Sequence, residues 1–371
     1  MNEELNLYVG WFFYNLICIL LFCFILFRLK TKQPKQLIYL TILVCLLIAV
    51  FGNAITMDYR AYWKIIQQIV YGSRKHIHLE EIYKWYISQI GANYILWQMA
   101  IYVPAYLVFY YIIKYLNIKR IKLFLFLFVI LILYYDCIGS RQFLFIIFYY
   151  SSLLFIANRK FLLGMVVLCA SFYLHKMALM ALPLAFLFLI PLKNKLILFV
   201  LIVIILTIGC RIILASYIEE IAQIAKISGS DGYLSTEGEA DSTGSIWWEI
   251  IGTYTLYTRL VLLTICLYKT REIVKSGTTI NKLIYAIVFW TTLLSIFFKY
   301  VGLANGTISY RLLSIGAIGF CYLFTLVPEY SRIRNWQKIV FVIMMLIYFV
   351  LTNAYITGVS HSVMLGELPL E

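Results

Sequence analysis

The chain has 371 residues, 63% of them hydrophobic and only 13% charged, with a formal net charge of +14 and a mean hydropathy of +0.90. A water-soluble domain carries about 25% charged residues, so this composition excludes one; the apolar runs are continuous rather than alternating, which excludes a β-barrel. In such a chain the positive balance reports orientation in a bilayer rather than nucleic-acid binding.

Apolar runs long enough to cross about 30 Å of hydrocarbon recur along the whole length. The first is read at about 8–27, closed by Arg28, Lys30, Lys32 and Lys35. The segment MNEELNLYVGWFF lacks a basic n-region and a small-residue cleavage site, so it reads as an uncleaved first span. The second span is placed at about 37–55. A polar and aromatic segment, 56–92, follows, with Tyr62, Ile65, Ile66, Ile69 and Val70 at helical spacings. It predicts a helix lying in the interface, a turn at Gly72-Ser73, and then either a second short helix or the direct start of span three, between which the sequence does not decide.

The third span, about 93–113, is followed by Lys114, Lys119, Arg120 and Lys122, and the fourth, about 121–135, ends at Asp136. From Tyr134 to Met177 two apolar helices are expected, joined by the basic turn Asn158-Arg159-Lys160. Each arm is roughly 16 residues, or about 24 Å at 1.5 Å per residue. A chain that descends and returns the same distance ends where it began, so Arg141, opening the first arm, and His175, closing the second, are expected at one depth.

Spans seven and eight are placed at about 177–191 and 196–214, before a second long loop, 216–245, rich in Gly, Ser and acidic residues. Spans nine to twelve are placed at about 248–268, 280–298, 312–328 and 339–356. The expectation is an all-α polytopic membrane protein of about twelve transmembrane helices. It would form one integral membrane domain over 1–371, with two longer outer loops, 56–92 and 216–245. Each turn assigned to the inner side is basic, and Glu272 and Glu329 are the acids found there; that asymmetry sets the orientation, with both termini outside.

Ionisable groups at membrane depth are costly and usually face a cavity or a partner. Arg259 lies midway along span nine in TYTLYTRLVLL. Arg141, Lys176, Lys299 and Arg311 fall at outer span ends, and Arg211 near one. Guanidinium forks suit phosphate, so this outward basic belt fits a pyrophosphate or an anionic lipid head group. The plainer readings are snorkelling anchors for the span-end cations and structural pairing of Arg259 with an acid such as Glu249. His175 read alone is equally a satisfied core histidine, and Asp58, Glu80 and Glu81 are equally solvated loop acids. Tyr59, Tyr62, Trp63, Trp247 and Trp248 suit either an interfacial belt or a sugar platform. The eight cysteines are scattered without CxxC or Cys/His spacing, so no metal ligand set is read, and no P-loop, dinucleotide fingerprint or HExxH motif occurs.

The segments MDYRAYWK (57–64), HLEEIYKWYISQIGANY (78–94), IGSRQFLFIIFYYSSLLFIANRKF (138–161), LCASFYLHKMALMALPL (168–184) and ISYRLLSIGAIGF (308–320) carry a resemblance. In order and spacing the chain resembles the EpsG-like family of bacterial polysaccharide polymerases, themselves similar to the Wzy O-antigen and capsule polymerases. The matching positions are Asp58-Tyr59 with Tyr62, Glu80 or Glu81, Arg141-Gln142, His175 and Tyr310-Arg311; the chain departs in Leu174, where Phe usually precedes the His, and in Lys176, where a small residue is common.

The resemblance implies a GT-C-like membrane glycosyltransferase in the bacterial cytoplasmic membrane, its active site facing the periplasm or exterior. It would move a glycan from undecaprenyl pyrophosphate onto a second lipid-linked repeat unit, with no cofactor and no metal. Arg60, Arg141, Arg259 and Arg311 would hold the pyrophosphate. Tyr59, Tyr62, Gln142 and Tyr310 would hold the glycan, and His175, Asp58 or Glu81 would serve the acceptor proton. The implied partners are the lipid-linked oligosaccharide, membrane lipid and a chain-length regulator, with no nucleic acid. The alternative is a lipid-linked oligosaccharide flippase, which would show charges along a central path and related halves; the charges here are weighted outward and no internal repeat is seen.

Overall fold

The computed structural model describes residues 2–29, 34–51, 57–71, 80–132, 140–175, 181, 184–185, 246–301, 307–327 and 334–367. Among these, every regular element is helical. The expected spans seven and eight, apart from residues 181, 184 and 185, lie outside the described residues, as do the 216–245 loop, Lys176 and Arg211. The chain divides into two compact units: Met1–Leu182 with Ile246–Leu256 and Pro328–Glu371, and Pro183–Ser245 with Tyr257–Val327.

The first unit opens with α1 (Asn2–Arg28) and α2 (Pro34–Phe51). On α1, Ile19, Phe22, Cys23 and Leu26 form a buried stripe, while Phe13, Ile17, Leu21 and Phe24 on the other faces are each more than half exposed. A helix that is apolar all round, with one face unburied by protein, suits lipid rather than water. Next come α3 (Met57–Tyr71) and α4 (Glu81–Ile90), the two helices expected in the first outer loop. The buried residues of α3, Tyr62, Ile66 and Ile69, recur at the helical period that predicted it. Gly91 ends α4 at φ +67°, ψ −161°, a backbone conformation essentially confined to glycine, and the chain turns directly into α5 (Tyr94–Leu116).

At 23 residues, α5 is about 35 Å long. Asn93 caps it by accepting from the Leu96 amide at 3.0 Å, and Pro104 sits inside it. It is the aromatic spine of the unit: Phe109 stacks on Phe128 at 4.2 Å between centroids, and Tyr106 lies 5.2 Å from Phe143. Phe128 belongs to a π-helical turn, Phe128–Ile132, that continues α6 (Ile121–Leu127); sequence periodicity carries no signal for it.

The hairpin is α7 (Ser140–Ala157) and α8 (Phe161–Leu174). Its turn is a Schellman cap: the Lys160 amide donates to Phe155 O at 2.9 Å and the Arg159 amide to Ile156 O at 3.0 Å. Arg159 takes the left-handed position at φ +61°. The arms touch closely at Gly164, where a Cβ would lie 2.6 Å from Ile156 Cγ1 and 3.0 Å from Ser152 O. Beyond α7 and α8, α5 packs on α7, and α4 on both α5 and α8.

Helix α9 (Ile246–Lys275) begins in the first unit and continues in the second, where α10 (Thr279–Val301) and α11 (Thr307–Leu326) pack against each other. Gly316 of α11 faces Thr291 of α10 with no room for a Cβ. Thr291, Thr292, Ser295 and Ser314 are buried in this unit, small and polar as close helix contacts in membranes require. α12 (Asn335–Glu367) closes the first unit by packing on α1. Of the described helices, Tyr94–Leu116 and Thr279–Phe298 are long and apolar enough to cross a membrane. The described chain is therefore all-helical, in keeping with a helical membrane protein. Both α9 and α12 run past the apolar stretches, 248–268 and 339–356, that marked them in the sequence.

Candidate functional site

The site is built where α3, α4, α5, α7 and the end of α8 meet. Trp97, fully buried on the first turns of α5, is its floor. Tyr62 of α3 tilts against it at 5.8 Å between centroids, and Tyr83 of α4 meets it edge-on at 5.3 Å. These contacts fix α3 and α4 on α5 and orient the charged groups beside them.

Arg141 stands in the first turn of α7. Its Nε donates to the Tyr62 hydroxyl at 2.8 Å, and its Nη1 donates to Glu80 Oε2. The guanidinium carbon lies 5.3 Å from the Tyr62 ring centroid and 5.8 Å from that of Tyr83, both within cation–π range. The Arg141 and Glu80 side chains are 16% and 12% exposed, so the pair is mostly desolvated yet still reachable from outside. A cation at a helix N-terminus opposes the macrodipole, so this position is held by its partners rather than by its own helix. Glu80 is the N-cap residue of α4, but its side chain makes no capping bond; the carboxylate is directed to Arg141.

Tyr83 joins this pair to His175. Its hydroxyl donates at 2.7 Å to the carbonyl of Leu174, an end-of-helix acceptor on α8, and the next residue is His175. Burial and the Glu80 carboxylate raise the Tyr83 phenol well above its ordinary range, against a smaller opposing pull from Arg141. Tyr83 is therefore a protonated donor throughout the neutral range. His175 is buried, in extended backbone, with its ring 6.3 Å from that of Phe145. Phe145 is one turn along α7 from Arg141, on the same face. The two ends of the hairpin thus share a neighbourhood, His175 about one turn deeper.

The other expected site residues fall differently. Glu81 is 86% exposed and pairs with Lys84 at 2.7 Å; the acid that reaches Arg141 is its neighbour Glu80. Tyr62 is buried and spends its hydroxyl on Arg141, so it serves the guanidinium directly. Gln142 is half-buried beside Arg141. Asp58, Tyr59 and Arg60 lie in the first turn of α3, and Tyr310 in that of α11, with their side chains outside the described set. Arg259, in the second unit, is buried and donates from Nη2 to Leu313 O at 3.5 Å; Arg311, also of α11, is half-buried.

Neither Tyr83 nor Trp97 was singled out from the sequence. A helical reading of α4 would have found Tyr83 and separated the two acids: Glu80, Tyr83 and Ile87 share one face by spacing, and Glu81, Lys84, Trp85 and Ser88 another.

Comparison with curated proteins and with solved structures found no match. Comparison with protein families matched residues 37–369 to the EpsG family. The match takes in every element of this site, and the chain belongs to the EpsG family, a Wzy-like polysaccharide polymerase family.

Proposed function

We propose that the protein joins oligosaccharide repeat units carried on undecaprenyl pyrophosphate, at the outer face of the bacterial cytoplasmic membrane. In this reading the chain crosses the bilayer about twelve times, in a GT-C-like arrangement. Arg141 holds the donor pyrophosphate, and the acceptor hydroxyl loses its proton to His175 or to the loop carboxylate of Asp58; Glu81, turned to Lys84 and solvent, drops out of that role. The acceptor oxygen forms its bond to the anomeric carbon as the anomeric C–O bond to the pyrophosphate breaks, and the leaving lipid pyrophosphate keeps the electron pair. A fixed guanidinium counters the charge that grows on that leaving group.

The single observation that carries this reading is the placement of Arg141, in a family of polysaccharide polymerases, with its guanidinium braced by Tyr62 and Glu80 one turn from the His175 contact. The test is polymer length in membranes of the producing cell. Arg141→Ala is expected at normal abundance with single repeat units only, since loss of one such donor costs about 10²–10³ in rate. His175→Ala is expected to do the same, and His175→Gln not to restore polymer. Long polymer from Arg141→Ala at normal abundance refutes the donor role. Loss of the single units as well on gene deletion points to a flippase instead.

A further inference from the structure

The Arg141 fork is already engaged by an anion, the Glu80 carboxylate. Building on the pyrophosphate reading above, we propose that Glu80 is a selectivity residue. Its carboxylate is an internal stand-in that a pyrophosphate displaces and that a singly charged phosphodiester head group does not.

A membrane surface presents anionic phosphodiester groups to any exposed arginine, and guanidinium binds phosphate oxygens readily. A bare Arg141 at that level would fill with them. Glu80 carries one negative charge, as does a phosphodiester. Exchanging one for the other gains no charge and leaves the Glu80 carboxylate, 12% exposed, repelled beside the incomer. A pyrophosphate diester carries two negative charges and more acceptor oxygens, so it recovers what the displaced pair loses. Discrimination by penalising the wrong ligand is a standard route to specificity.

The scaffold allows this exchange. Arg141 Nε stays on Tyr62, and the Tyr62 and Tyr83 rings lie close to the guanidinium, so the fork keeps its place when Glu80 leaves. Helix α4 is fastened separately, by Tyr83 on Leu174 O and on Trp97. Glu80 precedes the first helical residue and its side chain makes no capping bond, so its departure from Arg141 removes no cap from α4.

Binding is measured on the purified full-length protein by calorimetry, with inorganic pyrophosphate and short-chain phosphatidylglycerol as probes. Wild type is expected to bind pyrophosphate at least tenfold tighter than the phosphodiester. Glu80→Gln, which keeps a carbonyl for Arg141 to donate to, is expected to tighten both and to narrow the gap between them severalfold. Arg141→Ala is expected to bind neither. Glu80→Gln with unchanged or weaker affinity for pyrophosphate overturns the proposal, because Glu80 is then only a brace. A second measurement needs no variant: carbodiimide modification of Glu80, read by peptide mass spectrometry, should rise with pyrophosphate and not with phosphatidylglycerol. Equal modification with and without pyrophosphate also overturns it. A chain that shows this selectivity but makes no polymer refutes the function reading alone. A polymerising chain whose Glu80→Gln variant binds like wild type refutes the selectivity alone.

Discussion

Tyr83→Phe isolates one bond in the site. The ring stays, so the edge contact with Trp97 at 5.3 Å and the approach to Arg141 at 5.8 Å are kept. What goes is the 2.7 Å hydrogen bond to Leu174 O. That carbonyl is at a helix end, and Tyr83 is buried, so the acceptor is left without its donor; the cost is about 1–3 kcal/mol. The loss falls on the segment that carries His175. If the bond holds the imidazole in reach of the acceptor, about 1.4 kcal/mol of misplacement is a tenfold fall in rate. Arg141 keeps its own partners, so the donor KM should not move. The assays are unfolding of the detergent-purified protein and initial rates on a lipid-linked repeat unit. Tyr83→Ala should destabilise further, since a buried aromatic truncated to alanine costs about 3–5 kcal/mol. The phenol pKa is raised on folding, so the Tyr83 contribution should be constant at neutral pH and fall only as pH climbs past about 10. A Tyr83→Phe variant as stable and as fast as wild type, or one that changes donor KM alone, refutes the reasoning.

Other variants test the scaffold and the second unit. Gly164→Val should destabilise the hairpin by about 1–3 kcal/mol, because the added atoms meet the backbone at Ser152 and Ile156 and not merely a flexible side chain; an unchanged unfolding midpoint would refute the close approach of the arms. Arg159→Gly should stabilise the turn by about 0.5–1 kcal/mol in the same assay, since it removes a Cβ from a left-handed position. Arg259→Lys keeps the charge and loses the fork, so polymer should be lost while the protein persists in membranes; full-length polymer would mark Arg259 as structural. A reporter fused after Ser230 should be active outside the cytoplasm only, and cytoplasmic activity there would overturn the outward placement of that loop.

Much of the local structure was legible from residues alone. Continuous apolar runs announced the long helices, and aromatic and aliphatic spacing announced α3. A return path of two similar arms about one basic turn brings Arg141 and His175 to one neighbourhood by length alone. These follow from short-range rules: the helical period, the length of a span and the charge of a turn. Helix ends were less legible, because α9 and α12 continue through charged and polar residues that do not break a helix.

Tertiary structure decided which groups meet. Arg141 and Glu80 are 61 positions apart, and Tyr83 and Leu174 are 91; no spacing rule links residues so distant. Glu80 and Glu81 are adjacent and chemically alike, and the fold directs one to the guanidinium and the other to Lys84 and solvent. Tyr62, read from sequence as an interfacial or sugar-facing ring, is turned inward because Trp97 offers it an apolar floor and Arg141 a donor for its hydroxyl. Arg159 adopts a glycine-like backbone because the two packed arms, in contact at Gly164, impose the turn on whichever residue stands there. The amino-acid pattern thus sets the helices, their period and the charge of their turns, while the choice of partner belongs to packing, where a buried charge must find its counter-ion or remain in water.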